Sequence, residues 1–414
     1  MVYGEGERKA EILDTAARLF GEYGLQTSLD QIAGASGILT GSLYHHFESR
    51  DAILVGLVER FHTELDYIAA SALDEHQLAS RPAPERIVAL GTAIADCAVR
   101  HRAAVLLTFY DPATGASSEL VRATSLTPTA IQNAMLETLR AARSSGYLRP
   151  WIDVELLADR IYQSMLNIGI GVYHRSGRVT GYPQTKLWML LHGVAVRSPD
   201  DAELDGSTAM RVSDEAIQSW SDQEDQDPRM ARILGAARSE FARRGFEATT
   251  VRDIATAASY STGGIYRWIE SKDKVFATIM DEYTGRVMEG KDRILHSSSS
   301  PVEKLDALLW FKINLLDRFS DEHRIEIWWL RQSPPIGPNV SWHFTRQLRQ
   351  VKDLLSTGVQ ARQLQIVEGA SMETSARCLF DLYATPESAI RRAGTRGAHR
   401  FARDTVLRGA SQRA

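Results

Sequence analysis

Gly41-Ser42-Leu43-Tyr44-His45-His46-Phe47-Glu48-Ser49-Arg50-Asp51 returns about 220 positions later as Gly263-Gly264-Ile265-Tyr266-Arg267-Trp268-Ile269-Glu270-Ser271-Lys272-Asp273. The order of small residues, an aliphatic–tyrosine pair and a Ser-cation-Asp step is kept, so one chain carries the same short unit twice. Upstream of each copy the apolar residues fall at helical spacing, with Ile12, Ala16, Leu19 and Phe20 matched by Ile233, Ala237 and Phe241. Gly24 and Gly245 stop these helices, because glycine takes the left-handed conformation of a helix C-cap at little cost. Thr27-Ser28 and Thr249-Thr250 then offer caps for a second helix bearing Leu29, Ile32 and Ala33 or Val251, Ile254 and Ala255. A tight turn at Gly37 or Ser259 leads into a third short helix, and a long amphipathic helix starts near Ser49 or Ser271.

The rest of the 414 residues is also helical by pattern, with breaks at Pro82-Ala83-Pro84, Ser144-Ser145-Gly146 and Pro334-Pro335-Ile336-Gly337-Pro338. This length exceeds one ordinary core, and 44% hydrophobic residues are enough for two. Between the repeats, residues 198–226 hold nine acidic residues against one arginine, which predicts a solvated tether with at most a short helix over Asp214 to Trp220. The expected division is 1–51, 52–197, an acidic linker at 198–226, 227–275 and 276–414.

The acidic N-terminus lacks the basic start and apolar stretch of a secretory signal, and no run approaches the roughly 20 apolar residues of a membrane span. Cys97 and Cys378 are the only cysteines, which excludes a disulfide framework and predicts two buried structural thiols in a reducing cytoplasm, with a redox sensor as the alternative. The histidines, among them His101, His174, His192, His323 and His343, show no metal-ligand spacing. Neither a nucleophile elbow nor a phosphate-cradling glycine loop is present, so the expectation is no enzyme, no metal and no cofactor.

Two short crossed helices followed by a long one form a helix-turn-helix, whose second helix enters a major groove while hydroxyls and helix N-termini grip phosphates. Ile32-Ala33-Gly34-Ala35-Ser36-Gly37-Ile38 through Gly41, Leu43-Tyr44, His46-Phe47 and Arg50-Asp51 resemble the DNA-binding signature of TetR/AcrR-family repressors. The second copy is similar through Ile254-Ala255, Ser261, Gly263, Ile265-Tyr266 and Lys272-Asp273. The resemblance implies an all-α chain of two such units, each with an N-terminal head and a larger regulatory domain, joined as an intramolecular pseudo-dimer. It implies double-stranded operator DNA and a small apolar or amphipathic effector of unknown identity as partners, no membrane, a nucleoid-associated cytoplasmic location, and a monomer for which higher oligomers stay open. It also implies that the last helices of each half, Asp153 to Val196 and Met372 to Leu407, pack together through Ile161, Met165, Ile168, Val172, Leu379, Phe380 and Tyr383. For tandem fusions it points to control of lipid or steroid uptake and breakdown.

The candidate DNA contacts are Thr27, Ser28, Thr40, Ser42, Tyr44, His45 and Arg50 in the first head. In the second they are Thr249, Thr250, Ser261, Thr262, Gly264, Tyr266, Arg267 and Lys272. Phe109, Trp151, Tyr162, Trp310, Phe311, Trp328 and Trp329 are candidate effector-pocket residues, with the second half preferred for its Trp328-Trp329 cluster. Three departures distinguish the heads: Leu39 stands where Ser261 caps the recognition helix, Trp268-Ile269 replaces His46-Phe47, and the charge balance is minus four over 1–51 against plus three over 227–275. Phosphate neutralisation supplies much of the affinity for DNA, so the second head is the expected anchor and the operator is expected to be non-palindromic. The alternative is a ligand-sensing or protein-docking scaffold whose first or both heads have lost DNA binding.

Overall fold

The protein is seen here in a computed structural model that describes residues 5–24, 27–74, 81–108, 116–171, 181–197, 199–221, 227–331 and 338–412, with the backbone alone at 5, 170, 221, 328–331 and 338–343. The all-α expectation holds: among the described residues extended pairing is limited to two isolated bridges, Leu148 with Ser411 and Ala195 with Leu364. The first half runs α1 (Glu5–Tyr23), α2 (Leu29–Ala35), α3 (Thr40–Leu43), α4 (Arg50–Ala72), α5 (Ala83–Arg100), α6 (Arg102–Leu107), α7 (Ser118–Ser125), α8 (Thr129–Ser144), α9 (Val154–Ile170) and α10 (Tyr182–His192). After α11 (Asp201–Asp205) and α12 (Thr208–Gln218), the second half runs α13 (Pro228–Arg244), α14 (Val251–Ala257), α15 (Thr262–Ile265), α16 (Lys272–Leu295), α17 (Pro301–Arg318), α18 (Ser320–Arg331), α19 (Pro338–Gln360), α20 (Met372–Leu382) and α21 (Glu387–Ala402). A π turn over Arg403–Leu407 follows.

Each head is fixed by the same punctuation. Gly24 and Gly245 end α1 and α13 with φ of 79° and 80°, and the turn before the third helix passes through positive φ at Gly37 (67°) and Ser259 (63°). A non-glycine residue in this region costs about 1 kcal/mol, so the second head carries slight strain where the first carries none. Ile12, Ala16, Phe20 and Ile32 are fully buried in the first head, as are Ile233, Ala237 and Ile254 in the second, which confirms the shared register. The cores differ in extent: that of the first head merges with the regulatory helices of both halves, whereas the second head closes its own cluster with Leu315, Phe319 and Ile325.

The solvated tether expected over 198–226 is not what forms in its described part. Ala209, Met210, Ser213 and Ala216 make a buried stripe on α12 that packs on α16 and α17. The acidic residues there have partners that charge counting along the chain cannot reveal. Asp201 and Asp205 pair with Arg403, Asp201 also with Arg408, Glu215 pairs with Arg293, and Asp214 accepts from the indole of Trp310 at 2.7 Å. The described part of the acidic run is therefore a docked face.

The terminal helices of the halves pack together, α9 and α10 against α20 and α21. Ile161, Met165, Ile168, Leu379 and Tyr383 are buried there and Phe380 half-buried, while Val172 lies outside the described residues. The buried Arg160 guanidinium donates to the Leu382 carbonyl at 2.6 Å, and the buried Lys186 ammonium pairs with Asp381 at 2.7 Å. The segment after the π turn completes the seam: Val194 N–H donates to Val406 O at 2.8 Å, Ser411 N–H to Leu191 O at 2.7 Å and Gln412 N–H to Tyr147 O at 2.8 Å. Glycine is required at this closure, since a Cβ on Gly193 would stand 2.3 Å from the Leu407 carbonyl oxygen. Cys97 and Cys378 are both free and buried, and burial pushes each thiol up to about 12, as befits structural rather than redox residues.

Candidate nucleic-acid interface

The third helix of each head presents the side chains expected of a reading surface. Leu43 and Ile265 anchor it to the core, which turns the following tyrosine outward: Tyr44 is 52% exposed and Tyr266 55%. His45 and Arg267, next along, are exposed, Ser42 is half-buried, and Gly264 and Thr262 lie at the start of α15. Ser261 accepts from Gly264 N–H and caps α15, whereas α3 begins at Leu39 with no side-chain cap, as the sequence predicts. Ser28 and Thr250 cap the second helices through reciprocal capping boxes with Gln31 and Asp253.

Four candidate contacts have internal duties instead. Thr27 and Thr249 are buried, and their hydroxyls donate to the carbonyls of Gly24 (2.9 Å) and Gly245 (2.7 Å). They fasten the end of the first helix, because a buried hydroxyl next to unpaired helix-terminal carbonyls bonds there. Arg50 and Lys272 fold back in the same way. Arg50 donates to Thr27 O at 3.4 Å with its guanidinium over the Phe20 ring, and Lys272 donates to Phe246 O at 2.8 Å above the Phe246 ring. Both cations brace the joint between the long helix and the head.

The electrostatic contrast between heads is local as well as global. In the first, Arg8 pairs with Glu11, Arg18 with Glu22, and Thr40 Oγ1 donates to Asp30 at 2.7 Å, which places a carboxylate beside the reading helix. The second head has Arg252 in the place of Asp30 and Arg267 in that of His45. Arg232, Arg252, Arg267 and Lys274 are exposed there and form no ion pair among the described residues.

A cavity of about 130 Å³ lies mostly in the second half, lined by Val287, Leu308, Phe311, Leu315, Phe344, Phe380 and Tyr383, with Asn167 and Gly171 of the first half at its edge. Of the candidate pocket residues, Phe311 lines it. Trp310, one position away and so about 100° round the helix, faces α12 and α21 instead, bonded to Asp214 with Arg396 over its ring. Tyr162 is core, Trp151 is 66% exposed beside the Arg149 guanidinium, Phe109 lies outside the described residues, and of Trp328 and Trp329 only the helical backbone is described. The sequence reading missed Lys291, Glu326, Gln347 and Tyr383. Lys291 had a signal, since it follows Tyr283 and Val287 at the core spacing of α16 and so puts a charge where an apolar residue is due.

One further cluster brings together donor types suited to a metal. Glu64, Cys97 and His101 have ligand atoms within 4.8 Å of one another. Glu64 is already bound by Arg100 and by His101 Nε2 at 2.7 Å, and burial keeps the Cys97 thiol protonated, so the donor set does not suit a cation.

The sequence matches the profile described as bacterial regulatory proteins, tetR family, over residues 12–57 and again over 233–279. It is 34% identical over 182 residues to the HTH-type transcriptional repressor KstR2 of Rhodococcus jostii, a match covering 43% of this chain and 85% of that protein. KstR2 of Mycobacterium tuberculosis is 30% identical over 191 residues, covering 45% of this chain and 92% of that one. The solved structure of the ketosteroid transcriptional regulator KstR2 of Mycobacterium tuberculosis superposes with a TM-score of 0.36 at 21% identity, covering 43% of this chain and 90% of its own.

Proposed function

The chain belongs to the TetR family of bacterial regulatory proteins and is a DNA-binding transcriptional regulator, not an enzyme; from that premise we propose that it is a ligand-responsive repressor whose two unequal heads engage one non-palindromic operator. Residues 1–51 and 227–275 are then the DNA-binding domains, and 52–197 and 276–414 the regulatory domains, with α11 and α12 belonging to the second. The halves act as an internal pseudo-dimer in the cytoplasm, where the operator lies. No helix among the described residues is long and apolar enough to cross a membrane. A field of control in lipid or steroid breakdown follows from the tandem resemblance, and the genes beside this one test it directly.

The observation that carries the reading is the exposed Tyr44-His45 and Tyr266-Arg267 pair on equivalent helices, with Arg252 and Arg267 standing where the first head has Asp30 and His45. Paired recognition helices on one duplex sit about 34–36 Å apart on successive major-groove faces. Release needs a link from effector to head, and α18 supplies one. Glu322 on this helix forms a 2.6 Å ion pair with Arg238 of the second head, and Glu326, one turn on, lines the cavity. A ligand that shifts α18 thereby biases the spacing of the heads.

A mobility-shift titration on genomic fragments at several salt concentrations tests this. The regulator loses affinity steeply with salt, and Arg267→Ala weakens binding about tenfold or more while His45→Ala weakens it less. Absence of DNA binding at low salt would establish the scaffold alternative. A perfect inverted-repeat footprint, equally sensitive to Tyr44→Ala and Tyr266→Ala, would end the unequal-head reading.

A further inference from the structure

The cavity in the second half has two buried polar groups that the chain leaves incomplete. Lys291 is 5% exposed and lines it, yet its ammonium bonds only the neutral Gln347 amide oxygen at 3.2 Å and otherwise faces the rings of Phe380 and Tyr383 at 5.5 and 5.8 Å. Among the described residues no carboxylate comes within ion-pair distance of it. Tyr383, also 5% exposed and also lining the cavity, has a buried hydroxyl with no hydrogen-bond partner among the described residues. Each such group costs on the order of 1–3 kcal/mol, more when charged, so two side by side on one cavity wall indicate a missing acceptor.

The carboxylates around the cavity are already engaged. On α18, Glu326 accepts from the Tyr283 hydroxyl at 3.3 Å and meets His323 Nδ1 at 3.4 Å, and Lys312 of α17 lies 3.2 Å from that imidazole. Asp381 of α20 pairs with Lys186 of α10, and Asp292, next to Lys291 on α16, is held by Arg346 and Gln350 of α19. Lys291 is the buried cation that shares a wall with the unpartnered Tyr383 hydroxyl.

We propose that this cavity binds a small apolar carboxylic acid, with its ring or branched chain between Leu308 and Phe311 and its carboxylate accepting from the Lys291 ammonium and the Tyr383 hydroxyl. The proposal rests on the reading of this cavity as the effector site. At about 130 Å³ the space is close to that of an apolar cavity known to take up benzene, which fits one ring. A neutral amide of the same shape offers one acceptor oxygen and no charge to offset the ammonium, and is discriminated against for that reason.

Burial first, and the nearby Lys312 second, bring the Lys291 ammonium down to about 7 against the pull of Glu326 and Asp292. Without ligand it is therefore largely neutral at pH 8, and a bound carboxylate restores its proton. Calorimetry of the full chain with benzoate at pH 8, in two buffers of different ionisation enthalpy, should show net proton uptake on binding, with affinity falling as the pH rises further. Benzamide should bind at least tenfold more weakly, Lys291→Met and Tyr383→Phe should each weaken benzoate tenfold or more, and Leu308→Trp should abolish binding by filling the space.

Equal binding of benzamide and benzoate, or no binding of benzoate or cyclohexanecarboxylate at 10 mM, would each overturn the proposal. The comparison of benzoate with benzamide is made on the unsubstituted protein, so it decides even if a Lys291 variant fails to fold. No DNA enters the measurement, so its failure is separable from failure of the regulator reading, which the mobility shift decides.

Discussion

Arg238→Met should loosen the second head in a way that depends on pH. Arg238 Nε lies 2.6 Å from Glu322 Oε1, where the carboxylate side chain is 5% exposed and the guanidinium 31%. Burial already holds the Glu322 carboxyl above its usual range, with Arg238 the first influence opposing it. Removing one partner of a fully buried pair costs roughly 3–5 kcal/mol. The guanidinium is partly solvated, and its Nε–H axis is not directed as a hydrogen bond, so about 2 kcal/mol is the better figure here.

The sign of the pH effect follows from the raised carboxyl. Its favourable contribution is complete below the unfolded value of about 4.3 and is lost as pH rises through the folded pKa. Loss of Arg238 moves that folded value further up, so the variant is nearly normal at pH 4 and pays the full penalty at pH 8. Amide hydrogen exchange, corrected for intrinsic rate, reads the local opening: protection over α13 and α14 should fall roughly thirtyfold at pH 8 and little at pH 4 to 5. Glu322→Gln in the same background should recover most of it. Unchanged protection at pH 8, or a larger loss at pH 5, would refute the reasoning.

Thr249→Val removes a buried hydroxyl bonded to the Gly245 carbonyl and should cost the second head about 1–2 kcal/mol in thermal melting, with no change in the salt slope of operator binding. A loss of operator affinity in the folded variant at constant salt would return Thr249 to the DNA surface. Gly193→Ala places a Cβ 2.3 Å from the Leu407 carbonyl at a φ of +73° and should lower the melting temperature by several degrees, whereas Gly235→Ala, inside α13 with nothing within 4 Å, should raise it slightly.

The heads were legible in the sequence because their signals are local. Gly24, Gly37, Gly245 and Ser259 punctuate the chain through their own backbone, and the apolar registers of α1 and α13 need only a helical period to be seen. What the sequence hid depends on partners far along the chain. Thr27 and Thr249 looked like phosphate-facing hydroxyls until the preceding helix ends were found beside them. The acidic run before the second head looked solvated because Arg403 and Arg408, its partners, lie about 200 residues away. Trp310 and Phe311 are equivalent by composition, and only the phase of α17 separates a buttress from a cavity wall. Lys291 was readable as a charge out of place, but no count along the chain says that no described carboxylate reaches ion-pair distance of it.

The stitching of the carbonyls of Tyr147, Leu190 and Leu191 and the amides of Val194 and Ala195 to residues 406–412 bears on the order in which the protein is completed. Synthesis delivers the donors and acceptors of the first half some two hundred residues before their mates. While the ribosome is still making the second half, these backbone groups have only water to bond, and the inner face of α9 and α10 has nothing to cover it. The first half to be translated is thus among the last parts to be finished.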